Sequence, residues 1–434
     1  MGKVINLQDQ AESTGTARRG RAASKRSTTA ARVARRERPS KTALVLGGGG
    51  FTGAVYEIGA LRALDLMSVS HTINQFDVYV GTSAGSLVAS AVANGITPEQ
   101  MMQSIVRQGP EQLPDARANA LLRPNYREFV TRGVRFPLQL LSLLRMLSRD
   151  LGQVSAMDIV LALAEALPTG LYTGGGLERY VRDVLSQAGR SDDFRDLDVE
   201  LYLTGTDLDS CERVVFGAEG LDDVPISKAV AASCAVPMVY KPVEIKDRVY
   251  VDGGLVSTTN VDIAVEAGAT FVVVVNPLVP YVGDISENAS PGRRVSKMGF
   301  PQIGYQSFKL LAHQRLHELA QRWEDRYPGV DIILIEPDPN DELMFQTGVM
   351  NFTSRVEIAR HGFESVTLQL AEDYPRFKQI WARHGIEISA ERVRNIVRHF
   401  EAERESTRAW RKILEQTTST LLRQSAAEPG ADGR

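Results

Sequence analysis

The chain has 434 residues, of which 43% are hydrophobic and 24% are charged, and its net charge is −3. These proportions are typical of a globular protein and exclude a fully disordered chain, a collagen-like fibre and a protein built from many membrane spans. The only two cysteines, Cys211 and Cys234, cannot supply a disulfide framework or a cysteine-built zinc site.

Residues 1–41 form a basic arm, with eleven Lys and Arg against three Asp and Glu. The arm is predicted to be disordered, because a stretch without aromatic residues and with few branched aliphatics buries too little apolar surface to offset its ordering entropy. A solvated tail, an organelle transit peptide, attraction to anionic lipid headgroups and nucleic-acid binding stay open. The last is disfavoured because no aromatic side chain is available for stacking. The arm lacks the apolar segment of a secretory signal peptide, so a cytoplasmic location is expected, with peripheral membrane contact as an extension.

The first predicted strand, Thr42–Leu46, runs into a glycine-rich loop that precedes a predicted helix over Ala54–Asp65. Bare backbone N–H groups at Gly48, Gly49 and Gly50 suit an oxyanion hole or a phosphate cradle. A P-loop is disfavoured because no Gly-Lys-Ser/Thr follows.

The same loop also fits the dinucleotide-binding fingerprint, through Gly48, Gly50 and Gly53. The acidic residue that should follow about twenty positions later is Asp77, but Asp77 begins the next strand and does not end one. Nucleotide binding and a plain glycine turn remain as alternatives at this loop.

The second predicted strand, Phe76–Val80, leads into Gly-Thr-Ser-Ala-Gly and then into a predicted helix over Ser86–Asn94. A nucleophile on a tight strand-to-helix turn needs small neighbours two residues to either side, as Gly81 and Gly85 are to Ser83. The alternative interpretation is a strand-ending turn in which Ser83 is an ordinary helix N-cap.

An insertion over residues 109–170 interrupts the alternation of strands and helices. It contains the apolar segment Val134–Leu147, which is too short to span a bilayer because a span takes about 20 apolar residues. A buried core helix, a lid over the site and an interfacial helix are the interpretations of this segment.

Further short strands are predicted at Val199–Thr204, Val249–Val251, Phe271–Val275 and Asp331–Ile335. Continuous apolar runs such as Phe-Val-Val-Val-Val suit strands that are covered on both faces. The chain is therefore predicted to be an α/β protein with a mostly parallel central sheet and helices on both faces. Residues 278–389 are predicted to continue this body, and residues 390–434 to form a helical extension that ends in a frayed tail.

Asp252 follows the strand Val249–Val251 and is itself followed by Gly253 and Gly254. A carboxylate at a strand end, beside glycines that let another loop approach, can act as general base to a serine hydroxyl. Taken alone, however, Asp-Gly is a common turn pair.

Together and in this order, the three motifs resemble those of the patatin-like phospholipases, a family of lipolytic acyl hydrolases. They are Gly48–Gly53, Gly81–Gly85 and Asp252–Gly254, and Ala232–Pro237 is similar to the family's small-residue helix that ends in proline. The resemblance covers residues 42–277, which it identifies as a catalytic domain with a patatin-like layered fold.

The resemblance implies a catalytic dyad in which Ser83 attacks an ester carbonyl and Asp252 takes its proton. The amides of Gly48, Gly49 and Gly50 would hold the oxyanion, and water would release the acyl group. The other glycines of the three motifs would support the site; they are Gly53, Gly81, Gly85, Gly253 and Gly254. No metal or organic cofactor is implied, the expected partner is a phospholipid or another lipid ester, and no nucleic acid is expected.

Two positions depart from the family pattern. Thr52 stands where the family usually has Arg or Lys, which bears on activity and headgroup preference. Thr258–Asn260 replaces the Asn-Asn-Pro that often follows the family's Asp motif.

Two alternatives to the dyad hydrolase stay open. One is a serine–histidine–acid mechanism, for which the chain order leaves His313, His317, His361, His384 and His399. The other is a non-catalytic lipid-binding or scaffold protein that keeps the fold, an idea that the departure at Thr52 motivates.

Overall fold

The structure, a computed structural model, describes residues 5–6, 40–106, 121–128, 130–131, 168–282, 299–339, 341, 343–344, 352–395 and 397–398. In chain order its strands are β1 (Ile5–Asn6), β2 (Thr42–Leu46), β3 (Val78–Thr82), β4 (Arg123–Pro124), β5 (Gly170–Thr173), β6 (Glu200–Asp207), β7 (Arg213–Phe216), β8 (Met238–Tyr240), β9 (Val243–Ile245), β10 (Arg248–Asp252), β11 (Phe271–Val275) and β12 (Asp331–Ile335). The helices are α1 (Gly50–Met67), α2 (Ala84–Ala93), α3 (Pro98–Val106), α4 (Gly175–Leu185), α5 (Ile226–Ser233), α6 (Val261–Glu266), α7 (Phe300–Ala320), α8 (Trp323–Arg326), α9 (Arg355–Glu372) and α10 (Tyr374–Arg383).

A nine-stranded sheet forms the centre of the molecule, with the order β1-β12-β11-β2-β3-β6-β10-β9 and with β7 paired to β6. Five neighbouring strands, from β12 through β11, β2 and β3 to β6, run parallel. The strands β10, β9 and β7 extend the β6 side in antiparallel pairings, and β1 pairs antiparallel with β12 at the other edge. The predicted mostly parallel sheet is thus confirmed in its central block.

Helices cover both faces of this sheet, which explains why the sequence of β2 is apolar on both faces. Leu44 and Leu46 belong to the core cluster that packs under α1, α2, α9 and α10. Ala43 and Val45, which point the other way because side chains alternate along a strand, pack with residues of α6, α7 and α8. The prediction of an α/β layered fold is confirmed.

All five parallel strands run in the same direction, so their carboxyl ends lie together at one end of the sheet. Gly47 follows β2, Ser83 follows β3, Asn276 follows β11 and Glu336 follows β12. In sheets of this kind, groups that act on a ligand gather outside the carboxyl ends of the strands. The motifs found along the sequence therefore converge at the carboxyl end of the parallel strands.

The ends of the predicted 109–170 insertion contribute to a second, three-stranded sheet of order β4-β5-β8. The apolar segment Val134–Leu147 lies outside the described residues, as do most of the basic arm and residues 399–434. Within residues 278–389, β12 joins the main sheet and α7 to α10 pack on it, and Val393 beyond them is buried against the α1 face. In the part of the chain that the structure describes, no helix has the length and apolar character needed to cross a bilayer.

Candidate active site

Ser83 lies on a sharp turn between the end of β3 and the start of α2. Its backbone has φ 53° and ψ −120°, in the left-handed half of conformational space that a side chain rarely adopts. A Cβ added to Gly81 would lie 2.6 Å from the carbonyl oxygen of Gly85, and a Cβ added to Gly85 would overlap the carbonyl oxygen of Leu46. Both glycines of the motif are therefore required by the close packing of strand and helix around the turn.

Three polar groups hold the backbone of Ser83 in this conformation. Its N–H donates to Ser233 Oγ at 2.8 Å, and its carbonyl accepts from Ser86 Oγ at 2.6 Å and from Cys234 Sγ at 3.0 Å. Ser233 and Cys234 come from the end of α5, within the small-residue stretch that resembles the family. The sequence indicated the stretch but not its hydrogen bonds to the turn.

Asp252 ends β10, which is separated from β3 by the single strand β6. In the registers of these strands Thr82 pairs with Thr204, and Asp252 pairs with Gly205, the next residue along β6. Ser83, the residue after Thr82, therefore comes level with Asp252 across one intervening strand. The order of the strands in the sheet thus brings together two residues that are far apart in the sequence.

The side chains of Ser83 and Asp252 meet directly: Ser83 Oγ donates to Asp252 Oδ2 at 2.6 Å. The other carboxylate oxygen, Oδ1, accepts from the N–H of Gly254 at 2.7 Å. Both side chains are buried, and each residue is 5% exposed. Burial raises the pKa of Asp252 to about 6, while the hydrogen bonds from Ser83 and the Gly254 amide act to lower the pKa. The carboxylate is thus ionised at neutral pH and more basic than an ordinary aspartate.

The glycine loop passes beside Ser83. A Cβ added to Gly48 would lie 3.4 Å from the Ser83 Cβ, and the loop folds back through a hydrogen bond from the Gly53 N–H to the Gly49 carbonyl at 3.0 Å. Gly50 has φ 64°, which a glycine adopts without strain. The predicted oxyanion loop is therefore placed next to the predicted nucleophile.

The three predicted oxyanion amides differ in their present partners. The Gly48 N–H donates to the carbonyl of Thr258 at 3.2 Å, whereas the Gly49 and Gly50 amides have no acceptor among the described residues. Thr258 belongs to the segment that departs from the family pattern. Gly49 and Gly50 are accordingly the amides that this conformation leaves open to an anion.

Asn260, in that same segment, locks the loop after Asp252 onto the sheet. Its Nδ2 donates to Thr82 Oγ1 at 2.9 Å and to the Ser257 carbonyl at 3.2 Å, and its Oδ1 accepts from Arg213 at 2.7 Å. Asn260 is fully buried. It was noted in the sequence only as a departure, and its role in joining the two halves of the site was missed.

The helix α7 borders the site from the side of Gly254. Phe308 is the aromatic residue nearest to that glycine, 3.8 Å from the position a Cβ would take there. Burial raises the pKa of the Tyr305 hydroxyl, and the negative charge of Asp252 raises this pKa further. No sequence motif pointed to α7 as a neighbour of the dyad.

Three of the histidines that a triad would need are paired with carboxylates other than Asp252, and a fourth, His313, packs against the ring of His317 with centroids 4.1 Å apart. The pairs are His317 with Glu336, His361 with Asp341, and His384 with Asp331. Asp331 begins β12 and therefore lies at the amino end of the parallel strands, whereas Ser83 lies at their carboxyl end. His399 lies outside the described residues. No histidine that the structure describes hydrogen-bonds to Ser83 or Asp252. Thr52, at the position of the family's cation, is buried.

Comparison with known sequences bears on this arrangement. The sequence model of the patatin family, described as patatin-like phospholipase, matches residues 44–265, just over half of the chain. Uncharacterized protein YqhO of Bacillus subtilis (strain 168) is 27% identical over 222 residues, which cover 48% of this chain and 64% of that protein. Probable lipid hydrolase 463L of Invertebrate iridescent virus 6 is 22% identical over 223 residues, which cover 51% of this chain and 63% of that protein. The chain therefore spans less than two thirds of the length of these two relatives.

Two solved structures are similar at a lower level. VipD from Legionella pneumophila has 15% identity and a TM-score of 0.33, over 77% of this chain and 67% of that chain. ExoU of Pseudomonas aeruginosa, in its complex with SpcU, has 17% identity and a TM-score of 0.28, over 76% of this chain and 53% of that chain. At these TM-scores neither likeness adds to the assignment, which depends on the match over residues 44–265. The chain belongs to the patatin-like phospholipase family.

Proposed function

We propose that the protein hydrolyses carboxylic esters of lipids, with Ser83 as nucleophile and Asp252 as general base. The observation that carries the proposal is the 2.6 Å hydrogen bond from Ser83 Oγ to Asp252 Oδ2, made at a strained turn beside the glycine loop. Membership of the patatin-like phospholipase family supports the reaction class. The name of the viral relative, a probable lipid hydrolase, supports the same class.

In the first step Ser83 Oγ forms a bond to the ester carbonyl carbon as its proton passes to Asp252 Oδ2. The second carboxylate oxygen stays bound to the Gly254 amide, which keeps Oδ2 aimed at the serine. The carbonyl oxygen becomes an oxyanion, which the amides of Gly49 and Gly50 at the start of α1 would stabilise. Gly48 joins them if its N–H leaves the carbonyl of Thr258.

The tetrahedral intermediate then breaks its bond to the alcohol, and the proton on Asp252 passes to the departing oxygen. This leaves the acyl group on Ser83. Water attacks the acyl carbon with Asp252 again accepting a proton, and cleavage of the bond to Oγ returns that proton to Ser83. The products are a free fatty acid and the alcohol part of the lipid.

The decisive experiment compares Ser83→Ala and Asp252→Asn with two matched controls. Ser210→Ala and Asp209→Asn make the same chemical changes in the exposed turn that joins β6 to β7. Both dyad variants should lose at least about 1,000-fold in kcat for fatty-acid release from phospholipid vesicles. Both controls should keep wild-type rates. A folded Ser83→Ala variant that retains activity would exclude Ser83 as nucleophile.

A second candidate function is a non-catalytic lipid-binding or scaffold protein with the same fold. The hydrogen bond from the Gly48 N–H to Thr258 favours it, because this bond occupies one of the amides that hydrolysis would use. A fluorophosphonate probe separates the two functions, since it reacts only with a serine that the site activates. Labelling of the wild type and not of Ser83→Ala supports the hydrolase, and absence of labelling in both supports the scaffold.

We also propose that the protein contacts lipid surfaces peripherally, through the outer face of α7. Ile303, Leu310 and Leu311 are exposed on this helix, and Leu311 is 69% exposed. Leu255, which directly follows Gly254, is exposed as well. Apolar side chains beside the dyad suit a substrate that is presented in a membrane or micelle. Assays of phospholipids, lysophospholipids, triacylglycerols and soluble esters with purified protein will identify the preferred class.

A further inference from the structure

Three side chains of the kinds that bind metals lie together at the carboxyl end of the parallel strands, separate from the proposed dyad. His313 and His317 are one turn apart on α7, and Glu336 follows β12. One ligand atom from each of the three residues lies within 4.8 Å of the ligand atoms of the other two. The residues come from two elements that are joined by this contact, so local helix geometry alone does not explain the group.

The carboxylate of Glu336 is held in place before any ligand arrives. Glu336 is 4% exposed, and its Oε1 accepts from Asn276 Nδ2 at 2.7 Å. Its Oε2 lies 2.9 Å from His317 Nε2. Metal-binding carboxylates and imidazoles are commonly oriented by such outer hydrogen bonds. Asn276 thus performs for Glu336 what an outer-shell partner performs in known metal sites.

The hydrogen bond between His317 and Glu336 accounts for the positions of these two residues, but it does not account for the position of His313 beside them. The His313 ring is packed against the His317 ring, with centroids 4.1 Å apart, and its ligand atom lies within 4.8 Å of those of His317 and Glu336. A metal ion shared by the two rings would account for their packing side by side.

Small side-chain movements would bring the three ligand atoms, which lie within 4.8 Å of one another, to the spacing of a tetrahedral ion. Zinc binds His nitrogen at about 2.0–2.1 Å and carboxylate oxygen at about 2.0–2.2 Å, so its ligands lie about 3.3 Å apart. The His317 and Glu336 atoms would separate slightly from 2.9 Å, and His313 would close in by a side-chain rotation. Two histidines and one carboxylate leave a fourth position for water or an anion.

We propose that His313, His317 and Glu336 form a binding site for a divalent transition-metal ion of the zinc type. The ion would tie α7 to the end of β12. Because Phe308 of α7 lies beside Gly254, the ion would fix the helix that flanks the proposed dyad. It supplies no step of the ester hydrolysis.

The test uses the full chain, without a polyhistidine tag, stripped with chelator and then titrated with Zn²⁺ alone by calorimetry. The expected result is one Zn²⁺ per chain, together with a rise in melting temperature of several degrees when the ion is in excess. Replacement of Zn²⁺ by Co²⁺ should give the intense visible absorption of a four-coordinate ion with nitrogen ligands.

Variants identify the ligands. His313→Ala and Glu336→Gln should each weaken zinc binding by at least about 100-fold, and Asn276→Ala, which loses only the orienting bond, by about 10-fold. The matched control is His361→Ala, which removes another half-buried, carboxylate-paired histidine and should bind zinc as the wild type does. If a ligand variant fails to fold, the Co²⁺ spectrum of the wild type decides. Absence of stoichiometric binding, a weak six-coordinate Co²⁺ spectrum, or unchanged affinity in His313→Ala would overturn the proposal.

Discussion

The two residues of the dyad are each held in a state that an isolated residue avoids. Ser83 has a positive φ of 53°, and backbone conformations of this kind cost about 1–3 kcal/mol when the residue is not glycine. Asp252 is a buried carboxylate with no basic side chain among the groups that shift its pKa. The hydrogen bond from the Ser83 N–H to Ser233 Oγ, together with those donated by Ser86 Oγ and the Gly254 N–H, holds both residues in place, so the proposed site is assembled before substrate arrives.

The raised pKa of Asp252 predicts the pH dependence of hydrolysis. As the proposed general base, Asp252 would accept the serine proton only when it is ionised, and burial raises its pKa to about 6. We therefore expect kcat/KM for a soluble ester to be constant above about pH 7 and to fall about tenfold per pH unit below about pH 6. The measurement is a kcat/KM profile taken over the range in which circular dichroism shows the protein to be folded. An inflection near pH 4, where an ordinary aspartate titrates, would contradict the buried-base assignment.

The glycines of the nucleophile turn predict a contrast in stability. Gly85→Ala places a methyl group against the Leu46 carbonyl, so we expect a loss of roughly 1–3 kcal/mol or more together with the loss of activity. Gly304→Ala lies within α7 with no atom within 4 Å of the new methyl group, and it should stabilise the protein by about 0.5–1 kcal/mol. Thermal unfolding of the two variants beside the wild type makes the comparison. Equal melting temperatures would refute the packing argument.

The resemblance of the three motifs to those of the patatin-like phospholipases predicted which side chains meet. Ser83 and Asp252 were predicted as partners, and the structure places them in hydrogen-bonding contact. Ser233 and Asn260 were not predicted, because serine and asparagine are common in turns and their partners lie about 150 and 178 positions away. The hydrogen bond from Gly48 to Thr258 was also beyond prediction, since it depends on how two distant loops pack.

Among the elements, α7 joins the two parts of the proposed function. Its inner face carries Tyr305 and Phe308 towards the dyad, and its outer face exposes Ile303, Leu310 and Leu311. A helix with this division can touch lipid on one side while it bounds the site on the other. Under the proposed function, the position of α7 would couple contact with a lipid surface to access to Ser83.

Substitution on this outer face should separate lipid binding from chemistry. Leu311→Asp places a charge where an acyl chain would pack, so we expect at least about a tenfold lower rate on zwitterionic phospholipid vesicles and an unchanged kcat/KM on a soluble ester. Gln314→Asp, at another exposed position of α7, adds the same charge without removing apolar surface and should keep both rates. Equal losses on both substrates in Leu311→Asp would indicate a damaged fold in place of a lost lipid contact.

The strands were predicted unevenly, for identifiable reasons. The runs Thr42–Leu46, Phe271–Val275 and Asp331–Ile335 have the bounds expected of them, because strands buried on both faces are apolar at every position. The strand before Ser83 was expected at Phe76–Val80 and is found at Val78–Thr82, since Gly81 and Thr82 extend the sheet into the motif. The strands β7, β8 and β9 were missed, because they are three or four residues long and have no strong periodicity.

For the whole molecule, charge is distributed unequally along the chain. Residues 1–39 carry ten Lys and Arg against three Asp and Glu, whereas the remainder is acidic. Ile5 and Asn6 pair with the edge of β12, the outermost strand of the parallel block. Ile5 and Asn6 thus lie at the sheet edge away from β10, the strand that ends at Asp252.

Removal of residues 1–39 tests whether this charge serves lipid binding. Each basic residue near an anionic surface contributes about 1 kcal/mol, so the shortened protein should bind anionic vesicles at least about tenfold more weakly at low salt. The difference should disappear in high salt, where screening is strong, and on zwitterionic vesicles. Hydrolysis of a soluble ester should be unchanged. Equal sedimentation of both proteins with anionic vesicles would assign the segment no role at the membrane.

The buried dyad also affects any effort to make the protein more heat-resistant. The pKa of Asp252 is raised from 3.8 to about 6, so its contribution to folding is most favourable below about pH 4 and is diminished by about 3 kcal/mol once the pH exceeds 6. Asp252→Asn abolishes that penalty, and Ser83→Gly relaxes the turn. If the proposed dyad is correct, laboratory evolution for thermal tolerance that is scored on folding alone will enrich inactive variants, and each round needs a turnover screen beside the heat challenge.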